Sequence, residues 1–278
     1  MVTRAKLGTG RVALVTGASS GIGRAAAAGL AGQGWAAALA ARRADRLTEL
    51  EMQIRANGGV AASFPADLEQ PGAPAALVAA VVARFGRLDL LVNNAGWGFC
   101  APLRELPEAA ARRLIELNLV APLLLMKEAL PHLRRHQGTI INISSGSGMI
   151  PSPYYAVYAA TKAALLSVGD SVRIEEHDAG VRIVTICPGP VTTEFGAAAG
   201  GAPVHADRIG VQIETAEEVA ERVVANAGRP GRIVPTTRAT RLGWFLGRHF
   251  PRTMELLVRR TWARRVGPEI EEFFSKGR

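Results

Sequence analysis

The chain has 278 residues, 48% of them hydrophobic, enough for one α/β domain with a sizeable core. Its two cysteines, Cys100 and Cys187, are far apart, which excludes a disulfide scaffold and a structural zinc site and fits a reducing cytoplasm. The net charge is +9, but from Arg229 onward there are 12 basic and 4 acidic residues, so the first 228 residues are nearly neutral and a nucleic-acid-binding body is excluded.

Met1 to Gly10 has no apolar run, so no secretory leader is expected there. Val12–Thr16 is a predicted strand, Ile22–Gln33 a helix and Ala36–Ala41 a strand. Arg46–Asn57 follows as a helix, Ala61–Ala66 as a strand, Ala73–Phe85 as a helix and Leu88–Asn93 as a strand. A long helix is expected around Arg112–His132, then the strand Gly138–Ser144, a helix over about Tyr154–Asp178 and the strand Val181–Cys187. Ala216–Ala227 is a helix, because Thr215 with Glu218 three residues on is a capping box. Arg232–Val234 is a last short strand. Strands alternating with helices predict an α/β fold, a doubly wound parallel sheet of Rossmann type with helices on both faces. The continuous apolar strands fit burial on both sides. No uncharged apolar run reaches the ~18 residues that span a bilayer.

The first strand runs into Gly17-Ala18-Ser19-Ser20-Gly21-Ile22-Gly23. Glycines there permit a tight turn and close backbone approach, and the following helix aims its first amides at a pyrophosphate. The spacing is GxxxGxG rather than GxGxxG, and such a cluster alone also fits an ordinary strand-to-helix turn. Tyr158 and Lys162 are four residues apart and share a helix face. A tyrosine with a pKa of ~10 is a poor base near neutrality, and a nearby ammonium is expected to lower it. Ser145 ends a strand 13 residues before Tyr158. Ser144 competes with it, but the spacing to the tyrosine and Gly148 three residues on favour Ser145. The five histidines show no metal-ligand spacing, so no metal is expected.

Together these segments resemble the short-chain dehydrogenase/reductase family. The resemblance rests on Thr16–Gly23 (TGASSGIG), Asn93-Asn94-Ala95-Gly96 (NNAG), Asn118, Ser145, Tyr158-x-x-x-Lys162 and Pro188-Gly189, over about residues 8–230. It implies a dinucleotide held by Gly17, Ser19, Ser20, Gly21, Ile22 and Gly23, by Asp67 and Leu68 at the adenine, and by Asn94, Ala95 and Gly96 alongside it. Pro188, Gly189, Val191 and Thr193 match the segment that holds the nicotinamide amide. It implies a catalytic set of Asn118, Ser145, Tyr158 and Lys162. Tyr158 is the general acid/base, Ser145 polarises the substrate oxygen, and Lys162 also bonds the nicotinamide ribose. Asn118 bends its helix and holds a water leading from Lys162 to solvent.

NAD-binding members carry a carboxylate at the end of the second strand. Ala41 stands there, followed by Arg42 and Arg43, whose guanidinium groups suit a 2′-phosphate, so NADP(H) is the expected cofactor. The Gly/Ala-rich stretch Glu194 to Ile213 is expected to be a mobile substrate lid. Trp97, Phe99, Met149, Ile150, Tyr154 and Tyr155 would surround an apolar substrate, a lipophilic ketone, aldehyde or alcohol. The expected activity is carbonyl–alcohol interconversion, with a catalytically silent cofactor-binding sensor or scaffold as the alternative. The expected divisions are an enzyme domain at 1–235, its lid at about 194–213, and an extension at 236–278. In that extension Leu242, Phe245, Leu246, His249 and Phe250 form one helical stripe. Met254, Leu257, Val258, Thr261 and Trp262 repeat it after Pro251, among many arginines. Such a tail fits peripheral contact with a membrane interface or packing within or between subunits. The resemblance further implies a homodimer or homotetramer through the helices bearing Asn118 and Tyr158.

Overall fold

A computed structural model describes residues 10–203, 212–263 and 267–276. Part of the expected lid, 204–211, lies outside the described residues, as do residues 1–9, Arg264 and Arg265. The alternation read from sequence is realised. In chain order come β1 (Val12–Thr16), α1 (Gly21–Gly32), β2 (Ala36–Ala41), α2 (Ala44–Ala56), β3 (Val60–Pro65), α3 (Ala73–Phe85), β4 (Leu90–Asn93) and a short β5 (Phe99–Cys100). Next are α4 (Glu108–Ile115), α5 (Ala121–Arg134), β6 (Thr139–Ile143), α6 (Ala156–Glu175) and β7 (Arg182–Cys187). Then follow β8 (Val191–Thr192), α7 (Phe195–Ala198), β9 (Gly200–Gly201), β10 (Glu214–Thr215), α8 (Ala216–Asn226) and β11 (Ile233–Pro235). The extension folds as α9 (Arg238–His249), α10 (Pro251–Val258) and α11 (Gly267–Ser275).

Seven parallel strands form the main sheet in the order β11-β7-β6-β4-β1-β2-β3. Residues alternate between its two faces. Ala13, Val15, Ala37 and Leu39 meet Leu30, Leu47, Val219 and Val223 of α1, α2 and α8. Val12, Leu14, Ala38 and Leu91 meet Val81, Leu125, Met126 and Leu165 of α3, α5 and α6. The strand order reverses between β1 and β4. That reversal opens a crevice at the carboxyl ends of the strands, the usual ligand position in such sheets. The segments after β1 and β4 are the glycine-rich turn and Asn94–Gly96.

The long helix expected around Arg112–His132 begins earlier and is broken. Between α4 and α5 the five residues Glu116–Val120 form a π-turn with Asn118 at its centre. The predicted capping box of α8 is present. Thr215 Oγ1 accepts from Glu218 N at 3.1 Å, and Thr215 N donates to Glu218 Oε2 at 2.8 Å.

Candidate active site

The crevice begins at the turn after β1. Gly17 has φ +67°, open to glycine at little cost. A Cβ on Gly23 would stand 2.4 Å from both Gly17 O and Asn94 Nδ2, so the first turn of α1 lies flat on the loop. That turn has no acidic residue and its N-cap, Ser20, makes no side-chain cap bond. Its amides therefore face the crevice unneutralised, as an anion requires. Ile22 packs its side chain on the core beneath. Across from Gly21 stands Thr193, its methyl 3.0 Å from where a Gly21 Cβ would sit. Asn94 binds the floor, donating from Nδ2 to Thr16 O at 2.9 Å. The Asn94 and Ala95 amides both reach Thr16 Oγ1 at 3.0 Å. The tie between neighbouring strands is made by Asn93, which donates to Asn142 Oδ1 at 2.9 Å.

Of the two arginines after β2, only Arg43 turns to the loop. It donates to Ser19 Oγ at 3.0 Å and Ser20 Oγ at 2.7 Å, and pairs with Glu194 at 2.8 Å. Arg42 points away to Glu69 at 3.4 Å. The two were treated alike in sequence because their spacing from Gly23 differs by one residue, whereas the start of α2 sends them to opposite sides. Asp67 accepts from Glu69 N at 3.2 Å within the turn after β3, and Leu68 is buried beside it.

At the other end of the crevice α6 carries Tyr158 and Lys162. Ser145 stands beside the Tyr158 oxygen and acts against the rise of its pKa, and Ser147 N donates to Ser145 Oγ at 3.1 Å. Ser144 is occupied elsewhere, donating to Lys162 O at 2.8 Å. Gly148 explains how the loop reaches α6: a Cβ there would stand 2.7 Å from the Lys162 carbonyl carbon. Lys162 is 4% exposed and donates from Nζ to Ile143 O at 3.0 Å, with Nζ 5.7 Å from the Tyr158 ring centre. Asn118 holds the backbone of Trp97 from both sides, accepting from its amide and donating to its carbonyl at 2.8 Å each. The side chain that breaks the helix thus braces the strand end beside the site. Gly96 lies against it, a Cβ there standing 3.2 Å from Asn118 Oδ1 and 3.5 Å from Lys162 Nζ.

The expected lowering of the tyrosine pKa is not what the structure gives. Burial pushes the Tyr158 phenol up to about 12 against the smaller opposing effect of Ser145. Burial also pulls Lys162 down to about 8. The ammonium is spent on Ile143 O, not on the phenol. Tyr158 is therefore un-ionised near neutral pH in this structure.

The described part of the expected lid makes contacts with the body. Trp97 Nε1 donates to Ala198 O at 2.9 Å, and β9 pairs with β5, Phe99 opposite Gly200. Phe195 was not singled out in the sequence, yet its ring lies 5.8 Å from that of Tyr158, with Tyr155 at 5.9 Å on another side. Only its place two residues after Thr193 could have pointed to it. Glu214 was also missed. It is 4% exposed, accepts from Gly189 N at 3.1 Å and from the Thr236 hydroxyl, and so fixes the turn after Pro188. Val191 pairs with Glu214 in the β8–β10 ladder.

A family model described as short chain dehydrogenase matches residues 11–201, from β1 through α6 to β9. The chain belongs to the short-chain dehydrogenases. It is an oxidoreductase with the Rossmann-type fold of that family. A short chain dehydrogenase of Pseudocercospora fijiensis is 38% identical over 191 residues, 68% of this chain and 62% of that protein. A D-beta-hydroxybutyrate dehydrogenase of Rhizobium meliloti is 34% identical over 186 residues, 66% of this chain and 72% of that one. The structure of an alcohol dehydrogenase from Thermococcus sibiricus complexed with 5-hydroxy-NADP superposes with TM-score 0.73 at 32% identity. It covers 81% of this chain and 94% of that one. As a short-chain dehydrogenase the chain has its family's match ending before α8, so the extension 236–278 is beyond it.

Proposed function

We propose that this short-chain dehydrogenase reduces a lipophilic ketone or aldehyde with NADPH, Tyr158 giving the proton. The observation that carries the reading is the half-buried Tyr158 phenol, with Ser145 beside it and Lys162 Nζ 5.7 Å from its ring centre, at the head of the glycine-lined crevice. The residues fit a dinucleotide: the uncapped α1 amides for the pyrophosphate, Thr193, Val191 and the Pro188-Gly189 turn for the nicotinamide end. Arg43, Ser19 and Ser20 form a fork for a 2′-phosphate, with no carboxylate at Ala41; Glu194, which pairs with Arg43 at 2.8 Å, would yield that guanidinium to the phosphate. When bound, the reduced nicotinamide supplies the hydride for the carbonyl carbon. Ser145 orients the substrate oxygen, and Tyr158 passes its proton to that oxygen as the alkoxide develops. Once the proton has gone, the Lys162 charge, with Nζ 5.7 Å from the Tyr158 ring centre, favours the phenolate until a proton from solvent replaces the one lost, and Asn118 holds Trp97 and the strand end in place. In the reverse direction Tyr158 must first lose its proton, which burial opposes.

Phe195, Tyr155, Trp97 and Phe99 make the surroundings apolar, which supports a lipophilic substrate. We place the enzyme in a reducing cytoplasm, where the buried free thiols of Cys100 and Cys187 are inert. A homodimer or homotetramer through the long helices accounts for Ile115, Leu124 and Ile174, apolar residues exposed on α4, α5 and α6. A silent sensor would not need all four catalytic side chains together beside one crevice. The test is NADPH oxidation against aliphatic, steroid-like and acyl carbonyls, repeated with Tyr158→Phe. The variant keeps NADPH binding and loses about 10²- to 10⁴-fold in rate. Tight NADPH binding with no turnover of any carbonyl would instead support the sensor, and wild-type turnover in the Phe variant would remove Tyr158 from the chemistry.

A further inference from the structure

The helices after β11 show two opposite faces. The inner face of α9 and α10 buries Thr240, Gly243, Met254 and Val258, and Thr240, Gly243 and Gly247 lie on the loop that follows Ser145. A Cβ on Gly243 would stand 3.2 Å from Ile150 Cγ2, one on Gly247 3.6 Å from Met149 O, and one on Gly146 3.2 Å from Thr240 Cγ2. The stripe read from sequence as fit for either a membrane interface or packing is mostly on the other face. Leu242, Phe245, Phe250, Leu256 and Leu257 are 42–58% exposed. Phe245 forms a continuous ring cluster there, 4.8 Å from His249 and 6.2 Å from Phe250. Around them stand six exposed arginines, Arg238, Arg241, Arg248, Arg252, Arg259 and Arg260, against one acid between residues 238 and 260, Glu255.

We infer that this face docks on an anionic lipid bilayer and sets the mouth of the active site on the membrane surface. Leucines and phenylalanines enter the interface while guanidinium groups meet the headgroups. Charge decides against a second copy of the chain, because a twofold contact places the same patch against itself, arginine against arginine. The other acidic residues of the extension, Glu269, Glu271 and Glu272, are gathered on α11. There Glu271 pairs with Arg104 of the body, so that helix is fastened to the protein side. No helix among the described residues is long and apolar enough to cross a membrane, so the contact is peripheral. Because the inner face covers Met149 and Ile150, a docked enzyme draws its carbonyl substrate from the bilayer. That second half rests on the proposed reductase activity, whereas the docking itself does not.

Flotation separates the two halves. The full chain is mixed with phosphatidylcholine vesicles with or without phosphatidylglycerol, at low salt. It floats with the anionic vesicles, stays behind with the neutral ones, and is released by high salt. The double variant Arg241→Gln, Arg248→Gln binds about 25-fold more weakly, at about fivefold per arginine. Leu242→Ser with Phe245→Ser also abolishes flotation, while NADPH binding and the melting temperature of both variants stay at the wild-type level. A chain that remains soluble with anionic vesicles at low salt overturns the docking. So does flotation that the serine variant leaves intact. A serine variant that turns a dimer into a monomer overturns it in favour of a second copy. With flotation intact, a carbonyl dissolved in the anionic vesicles is reduced faster by wild type than by the arginine variant. Equal rates overturn delivery alone, and the absence of turnover with every carbonyl overturns the reductase activity and leaves docking standing.

Discussion

Lys162 is a charge almost wholly removed from water, with one carbonyl, Ile143 O, as its fixed partner at 3.0 Å. Burial lowers its pKa from 10.5 to about 8, so holding it protonated costs about 3 kcal/mol. The cost is full below pH ~8, where folded and unfolded chains both carry the proton. It is relieved between about 8 and 10.5, where the folded chain binds fewer protons, so this group makes stability rise with pH across that window. Lys162→Met removes the charge at nearly constant length. It therefore loses turnover yet melts no lower than wild type near pH 7, and its advantage shrinks as pH approaches about 10. Thermal melts of both proteins at the two pH values check this, and a variant that melts well below wild type at pH 7 would mean the ammonium stabilises the fold. Arg43 and Arg42 provide the second case. One donates to Ser19 and Ser20, the other reaches only Glu69. Arg43→Ala should weaken NADPH binding about 10- to 100-fold, the worth of one or two charge-assisted bonds, with little effect on NADH. Arg42→Ala should leave both cofactors nearly unchanged, and fluorescence titration of the four combinations decides. The adjacent arginines could not be told apart in sequence, because which side each takes depends on how α2 leaves β2.

Elements whose signal is local were readable before any coordinates. The glycine turn, the capping box at Thr215 and the Tyr158–Lys162 face each depend on spacings of a few residues, and each stands where the spacing put it. The π-turn at Asn118 was not readable as such. It exists because Asn118 is held at both its polar atoms by the backbone of Trp97, 21 residues earlier. The contacts of the expected lid were not readable either. Gly and Ala predict mobility, but Gly200 and Gly201 are small because Phe99 and Trp97 lie against them, and the segment is paired as β9 with β5. Glycines close to another backbone also fix the catalytic loop. Ser145 meets Tyr158 only while the turn after it lies on α6, and Gly148 is what allows that approach. A methyl at 148 meets the backbone of Lys162 and Ala163 at 2.7 and 2.8 Å, which no side-chain rotation can relieve. Gly148→Ala should therefore destabilise the protein by about 1–3 kcal/mol. It should also cut kcat by displacing Ser145, while the NADPH dissociation constant, set by the opposite end of the crevice, holds. An Ala variant with wild-type kcat would show that the Ser145 position tolerates movement of its loop.

Taken whole, the molecule is a neutral sheet domain with a strongly basic extension, and the boundary between them matters for any experiment that cuts the chain. The charge balance changes at Arg229, which invites truncation near Gly231. The fold places the boundary later. Ile233–Pro235 form β11, the edge strand paired with β7 from Ile233 opposite Thr185 to Pro235 opposite Cys187. Thr236 donates to Glu214, the carboxylate that holds Gly189, and Thr237 caps α9. A chain ending at Gly231 loses an edge strand, uncovers β7 and leaves Glu214 buried without its hydroxyl partner, a costly state for a carboxylate. A chain ending at Thr237 keeps all of these and loses only α9, α10 and α11. Its crevice, built from β1, β2, β4 and β8, is intact, so it should bind NADPH as the full chain does. It should lose vesicle binding with the exposed arginines and phenylalanines. Turnover should fall as well, because Thr240 and Gly243 no longer cover Gly146 and Ile150. The shorter chain should melt well below the longer one and bind NADPH poorly. Melting temperatures and NADPH titrations of the two truncations test this together. Equal melting temperatures would mean that β11 adds nothing to the sheet and that the sheet domain ends where the charge changes.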